Sequence, residues 1–392
     1  MIIDREIQPH LIRLSKQYPV VSIMGPRQSG KTTLVRHVFH EKPYVNLENP
    51  STRELAESDP NGFLNQYPNG AILDEVQRFP ALLSYIQVIV DEKKINGFFI
   101  LTGSHQLALH EAVSQSLAGR VALLTLLPLS ISELMKADVA MKFTTDDFLF
   151  HGFYPRVYAH NLNPVEAYAN YYQTYIERDV RQLINLKDLT LFQQFIRLCA
   201  GRAGQILNIN SLCNDLGVTH NTVKHWLSIL EASFIIFRLP PYYENFGKRI
   251  IKSSKLYFYD VGLASFLLGI ENINQLSRDP LRGNLFENMV VIEMLKWRFN
   301  QARLSQLFYF RDSYGREIDV IHKAGNKLIP VEIKSSQTFN KQFFKNINYF
   351  RSLASDKCEQ GYVVYSGYDS ILNSENALIN YRSIENIFDK ET

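Results

Sequence analysis

The sequence predicts an α/β protein: a parallel sheet over the first 140 residues, a helical middle over 141–275, and a second α/β unit over 276–392. Three observations predict it. The apolar, β-branched run Val20–Met24 is stopped by Gly25 and followed by a helical pattern. Strand-like and helix-like segments then alternate to about residue 140, as they do in a parallel sheet covered by helices. Further on, strand patterns at 307–312, 316–323 and 327–336 are bracketed by helical stretches. A chain of 392 residues has room for about two or three domains.

Composition narrows the function classes. Hydrophobic content of 46% marks a globular chain, and a net charge of +3 is near balance and gives no sign of a strongly basic surface overall, so a nucleic-acid site has to be local. Cys199, Cys213 and Cys358 form no C-x-x-C pair, which argues against a disulfide framework or a zinc site. The opening MIIDREIQPHLIRL is charged and amphipathic, and no run of 18 apolar residues occurs. The expected setting is the cytoplasm, with no membrane.

Residues 4–17 place Ile7, Leu11, Ile12 and Leu14 at near-helical spacing, a helix packed on the strand that follows. After that strand comes GPRQSGKT, which fits G-x-x-x-x-G-K-[ST] in its strand–loop–helix context. A loop entering a helix N-terminus turns backbone N–H groups inward, and with the helix dipole they form a nest for phosphate. The cofactor-binding stretch is therefore Gly25, Pro26, Arg27, Gln28, Ser29, Gly30, Lys31, Thr32 and Thr33. Gly25 and Gly30 permit bending and close approach. Pro26 adds no N–H to the nest, Lys31 reaches the β- and γ-phosphates, and Thr32 is a magnesium ligand.

A second strand is predicted in 42–50, then a helical pattern from Leu55 to Tyr67 interrupted at Asp59, Pro60 and Gly62. In GAILDEVQRFP an apolar strand ends in two acids. Asp74 is expected to hold magnesium and Glu75 to orient or deprotonate the attacking water, on a strand beside the phosphate loop. The strand in 97–105 ends in hydroxyls, with Thr102 or Ser104 a candidate γ-phosphate sensor, and Arg120 is a candidate for stabilising transition-state charge, in cis or from a neighbouring subunit. The order phosphate loop, Asp-Glu, Thr-Gly-Ser-His, Gly-Arg resembles the AAA-type ATPases, in particular bacterial and archaeal ATPases with a GPRQ-x-GKT loop. The resemblance covers residues 1–135 and implies ATP as the nucleotide, with Mg2+.

In the middle, HGFYPR (151–156) reads as a structural turn, and a long helix is expected from about Pro164 to Leu186. Its stripe Tyr168, Tyr171, Tyr172, Tyr175 and Ile176 reads as core, and Glu177, Arg178, Asp179 and Arg181 as a structural charge cluster. Residues 190–240 give a helix, two helices around Gly217 and a strand, with Asn210 and Thr219 as expected N-caps. The pattern resembles a winged helix-turn-helix. That fold puts His220, Asn221, Lys224 and His225 on a recognition helix and Lys248, Arg249, Lys252 and Lys255 against phosphate near a wing. DNA is the partner this implies; such units also serve as protein-packing lids.

At the C-terminal end, 281–299 is predicted as an amphipathic helix carrying Glu287, followed by the three strands, a helix and the strand GYVVYS. Alternation in V-E-I-K puts Glu332 and Lys334 on one strand face, and Asp319 sits similarly between Ile318 and Val320. The order and the set Glu287, Asp319, Glu332 and Lys334 resemble the PD-(D/E)XK nuclease-like fold. The resemblance implies a restriction-endonuclease-like unit in which Asp319 and Glu332 bind metal, Glu287 joins them, and Lys334 stabilises developing charge. The first functional reading is an ATPase that controls a metal-dependent nuclease-like unit on DNA. The alternative is a nucleotide-driven switch that binds DNA or a protein partner and cuts nothing, with a homo-oligomer compatible with either. A phosphoryl transferase is disfavoured by the Asp-Glu pair, which suits water as acceptor.

Overall fold

A computed structural model of the protein describes residues 2–104, 116–180, 189–243, 252–358, 360–373 and 375–388. Arg181, Lys248, Arg249 and the side chains of Glu177, Arg178 and Asp179 lie outside the described residues.

The N-terminal sheet contains β1 (Val20–Met24), β2 (Tyr44–Asn46), β3 (Ala71–Asp74), β4 (Phe99–Gly103) and β5 (Val121–Thr125) in the order β2-β3-β4-β1-β5, all parallel. Every residue of β1, β3 and β4 is buried, because helices cover both faces of a parallel sheet; the strands are apolar except for Ser22, Asp74 and Thr102. The acidic strand β3 is not beside the phosphate-loop strand β1; β4 lies between them, paired to both. The predicted break at Asp59 is a junction: helices Pro50–Ser58 and Pro60–Asn65 meet there, and the Asp59 carboxylate accepts from Gly62 N–H.

In the middle region the helix from Pro164 is α-helical only to Tyr171, and Tyr172–Val180 continues it with π-helical bonding. The tyrosine stripe is core, with Tyr168, Tyr171, Tyr172 and Tyr175 all buried. Helices Leu189–Ala200, Ile209–Leu216 and His220–Ala232 follow, with β6 (Gln205–Ile206), β7 (Ile236–Leu239) and β8 (Lys255–Phe258) forming an antiparallel sheet in the order β6-β8-β7. Thr219 caps its helix, accepting from Thr222 N–H. The other cap is Asn208, accepting from Ser211 N–H, while Asn210 lies inside the helix. Gly217 closes the first of the pair at φ 66°, a left-handed position that suits glycine.

The C-terminal unit is a six-stranded mixed sheet: β9 (Leu307–Arg311), β10 (Glu317–Ala324), β11 (Lys327–Lys334), β12 (Gly361–Tyr365), β13 (Ile371–Leu372) and β14 (Asn376–Asn380) in the order β13-β14-β12-β11-β10-β9. Strands β9, β10 and β11 are antiparallel, whereas β11, β12 and β14 run parallel. The helix Arg282–Asn300, expected to be amphipathic, is buried along most of its circumference. It packs among all three regions. Asn288 exchanges hydrogen bonds with Phe258 N–H and C=O, Glu293 accepts from Ile131 N–H at 2.8 Å, and Lys296 donates to Leu129 C=O at 2.7 Å. Its polar residues are satisfied by neighbours, so sequence periodicity cannot display a solvent face that the helix lacks. No helix among the described residues is long and apolar enough to cross a membrane.

Candidate functional site

The phosphate loop leaves β1 at Gly25, where an added Cβ would collide with the Leu126 carbonyl oxygen. Leu126 N–H donates to Met24 C=O at 2.7 Å, so the approach is fixed by the sheet edge. Gln28 at φ 63° and Gly30 at φ 93° are left-handed, the alternation that turns successive N–H groups to one side. Gly30 is the N-cap of the helix Lys31–Val38 and no side chain caps it, which leaves the helix's first N–H groups for a ligand. The Ser29 hydroxyl is buried with no hydrogen-bond partner among the described residues.

Lys31 is buried, and its Nζ donates to Gly25 C=O at 2.9 Å and Pro26 C=O at 2.8 Å. Burial pulls its pKa down to about 8, although Glu75 and Asp74 partly offset the effect. Thr32 Oγ1 donates to Asp74 Oδ2 at 3.0 Å, joining the loop's hydroxyl to the acid two strands away. Tyr44 Oη donates to the same oxygen at 2.6 Å, and Thr102 Oγ1 donates to Asp74 Oδ1. Burial first and that hydrogen bond second raise the Tyr44 pKa, so Tyr44 stays a neutral donor. Glu75, at φ 59°, accepts from Gln77 Nε2 and, at 3.2 Å, from Ser104 Oγ. Thr102 and Ser104, of which one is the candidate γ-phosphate sensor, are fully buried and donate to Asp74 and Glu75.

The loop opens on a cavity of about 420 Å³, lined by Gly30, Lys31, Thr32, Thr33 and Glu75 among others. Ile2, Ile3 and Asp4 wall one side and the helix Pro155–Ala159 another. Arg27 and Gln28 line it too, with Arg27 paired to Glu48 at 2.6 Å. A hydroxyl, a strand-end carboxylate, a buried ammonium and unbonded helix N–H groups together fit a magnesium–nucleotide.

Arg120 cannot act on that cavity in cis. Its carbonyl accepts from Val20 N–H at the start of β1, about 15 Å of strand away from the loop at about 3.3 Å per residue. Its guanidinium pairs instead with Asp91, at 2.8 Å for Nη2 to Oδ2. Three arginines do line the cavity, Arg5, Arg27 and Arg156, and the first two are paired to Glu133 and Glu48. HGFYPR puts Arg156 there. Gly152, at φ 61°, lies against Tyr168 and Asp260 with no room for a side chain, and Asp260 accepts from Phe153 N–H at 2.7 Å. Pro155 then starts the helix that carries Arg156. The available signal was a Pro-initiated helix with a basic second residue. Arg5 carried no such signal. It is buried, pairs with Glu133 at 3.1 Å, and donates to Ser29 C=O at 2.7 Å and Leu127 C=O at 2.6 Å, buttressing the loop from below.

At the C-terminal end Glu287, Asp319, Glu332 and Lys334 do come together. Lys334 contacts Glu332 and lies 3.7 Å from Asp319 Oδ2, while Asp319 accepts from Ile333 N–H at 2.8 Å. Two further residues join them. Glu317 shares a strand face with Asp319, as its two-residue spacing allows. Lys255, expected near a wing against phosphate, is buried and bonds Glu287 at 2.7 Å and Glu317 at 2.6 Å. Among the described residues no group of three or more Asp, Glu, His or Cys side chains is arranged to hold a metal ion, and Asp319 and Glu332 are each paired with a lysine. His220, Asn221, Lys224 and His225 are exposed together on one helix, and Lys252 is exposed in the segment that precedes β8.

Residues 17–135 match the family described as an AAA domain, and 142–274 and 282–384 each match a domain of unknown function. The uncharacterized protein Rv2008c of Mycobacterium tuberculosis is 31% identical over 344 residues, covering 86% of this chain and 75% of that one, and Mb2031c of Mycobacterium bovis matches equally. The uncharacterized protein MJ1544 of Methanocaldococcus jannaschii is 24% identical over 374 residues, 87% of this chain and 79% of its own. Among solved structures, a Walker-type ATPase of Pyrococcus abyssi aligns at 15% identity and a TM-score of 0.44, over 68% of this chain and 96% of that one. AMPPCP-bound DnaA of Aquifex aeolicus aligns at 16% and 0.31, over 57% and 85%. The chain thus carries an AAA-type, P-loop ATPase domain at its N-terminal end.

Proposed function

The chain belongs to the family of the mycobacterial protein Rv2008c, and from that premise we propose that it binds ATP with magnesium and hydrolyses it. One observation carries the reading: Thr32 and Asp74 meet at 3.0 Å beside the buried Lys31, on the edge of a cavity that Glu75 also lines. Magnesium, when bound, would supply charge neutralisation at the phosphates, and Thr32 and Asp74 are the residues that would hold it. Lys31 turns from the loop carbonyls toward phosphate oxygens, and the N–H groups of the loop and helix receive the rest of the charge. Glu75, aimed by Gln77 and Ser104, orients the attacking water and accepts its proton. Arg156 takes the charge-stabilising role that Arg120 cannot fill in cis.

For the rest of the chain, a nucleotide-driven switch that does not cut is favoured over a controlled nuclease. The supporting observation is that two lysines already neutralise the carboxylates a nuclease needs free for metal. The exposed polar face of His220, Asn221, Lys224 and His225, on the second helix of a winged-helix-like unit, supports DNA as the bound partner. The test is phosphate release from ATP by wild type, Lys31→Ala and Glu75→Gln, with magnesium or chelator, and plasmid nicking measured in parallel. Magnesium-dependent turnover lost in both variants, without nicking, is expected. Turnover retained by Lys31→Ala would sink the ATPase reading, and nicking lost on Asp319→Ala would sink the non-cutting one.

A further inference from the structure

Lys255 is the first residue of β8, which belongs to the middle sheet, yet its ammonium ends inside the C-terminal unit. It is only 2% exposed. It sits 2.7 Å from Glu287 Oε1, 2.6 Å from Glu317 Oε1 and 3.7 Å from Asp319 Oδ1, so three carboxylates from one helix and one strand surround a single cation. Tyr257, on the same face of β8, donates its hydroxyl to Glu287 Oε1 at 2.7 Å and fixes that carboxylate toward Lys255. Lys334 serves the fourth carboxylate, Glu332, and shares Asp319 with Lys255 through its other oxygen. A hard divalent cation needs several oxygens within about 2.0–2.6 Å of one point. Here the point between Glu287 and Asp319 is filled by an ammonium whose hydrogens satisfy the same oxygens.

We propose that Lys255 is the built-in cation of the C-terminal carboxylate cluster, holding the place between Glu287 and Asp319 that a divalent metal ion would need. The cluster becomes a metal site only when the lysine is removed. The arrangement also locks the two units together. An extension of β7 reinforces the lock, with Tyr242 N–H donating to Tyr309 C=O at 2.7 Å and Tyr309 N–H to Pro240 C=O at 3.0 Å. This inference rests on the non-cutting reading above and explains it.

The test uses the full chain without nucleotide, in an Asp74→Asn background that silences the phosphate site. Manganese binding is measured by titration calorimetry and electron paramagnetic resonance up to about 1 mM, the weak end for oxygen-ligand sites. With Lys255 present no bound ion is expected; Lys255→Met should take up one Mn2+ per chain, lost again on adding Asp319→Asn. If Lys255→Met does not fold, Lys255→Met/Glu317→Gln, which removes one like charge, replaces it. Folded variants that bind no manganese overturn the inference while leaving the non-cutting reading intact. A separate measurement needs no variant: amine acetylation of wild type followed by mass spectrometry should leave Lys255 unmodified with or without manganese, while Lys252 is modified. Acetylation of Lys255 at the rate of Lys252 would overturn the inference by itself. DNA cleavage by wild type with manganese would overturn both it and the non-cutting reading.

Discussion

Two buried lysines, each among carboxylates, have opposite fates in this molecule. Lys31 gives its hydrogens to the neutral carbonyls of Gly25 and Pro26, while Asp74 and Glu75 are held by hydroxyl and amide donors. Its charge is therefore buried without direct compensation, and burial pulls its pKa down to about 8. Lys255 gives its hydrogens to carboxylates. Burial pulls it down too, but Tyr257, Glu287, Asp319 and Glu317 together push it well above the ordinary lysine value. Identical residue types thus make a site that calls for an anion in one place and a closed ion cluster in the other. Which of the two forms depends on whether the acids reach the ammonium.

If the C-terminal cluster is closed in this way, the largest effect belongs to Lys255→Met. Leaving three buried carboxylates around an uncharged side chain should cost about 3–5 kcal/mol, read from urea unfolding. A cost under about 1 kcal/mol would mean that Lys255 is not their counter-ion. Next is Lys31→Ala, which should lower kcat for ATP by about 10²–10³-fold, the usual loss for one charge-stabilising donor, with little change in the unfolding midpoint. Destabilisation without lost turnover would erase the contrast between the two lysines.

Arg156→Ala and Arg120→Ala separate the cavity from the far end of the sheet. The first should lower kcat/KM by about 10- to 100-fold, the worth of a charge-assisted hydrogen bond of about 1.5–3 kcal/mol, and the second should leave it unchanged. Loss on Arg120→Ala instead would place that residue across an interface between copies.

The smallest effect is on pH dependence. Four carboxylates share two ammoniums at the C-terminal site, and burial, then Asp319, pushes Glu287 up to about 7 and Glu332 up to about 8, from an ordinary value near 4.5. The native state then holds protons that the unfolded chain has lost. Stability from these groups is present below about pH 4.5 and declines as pH rises through about 8. Melting temperature should fall between about pH 5.5 and about pH 8.5, and less so in Glu332→Gln.

Much of this was written in residue order. Gly25–Thr33 and Asp74–Glu75 were legible because a phosphate nest and a strand-end acid pair depend on neighbours in the chain, and the strands at 307–336 because alternation is local. The cap at Thr219 was legible for the same reason, and the misplacement of the other cap by two residues, Asn210 for Asn208, is a local ambiguity among asparagines. The place of Arg120 was not legible, because a Gly-Arg pair says nothing about which end of a strand it will occupy.

What the sequence by itself determined was the chemistry available: a loop for phosphate, acids on strand ends, and a helix, three strands and a helix carrying Glu287, Asp319, Glu332 and Lys334. What only the tertiary structure decided was who meets whom. Arg156 reaches the nucleotide cavity from about 125 residues beyond the loop. Arg5 braces Ser29, and Lys255 closes a cluster that belongs to another unit of the chain. The physical reason is that a buried charge must find its partner wherever packing brings one, and sequence distance places no limit on that pairing.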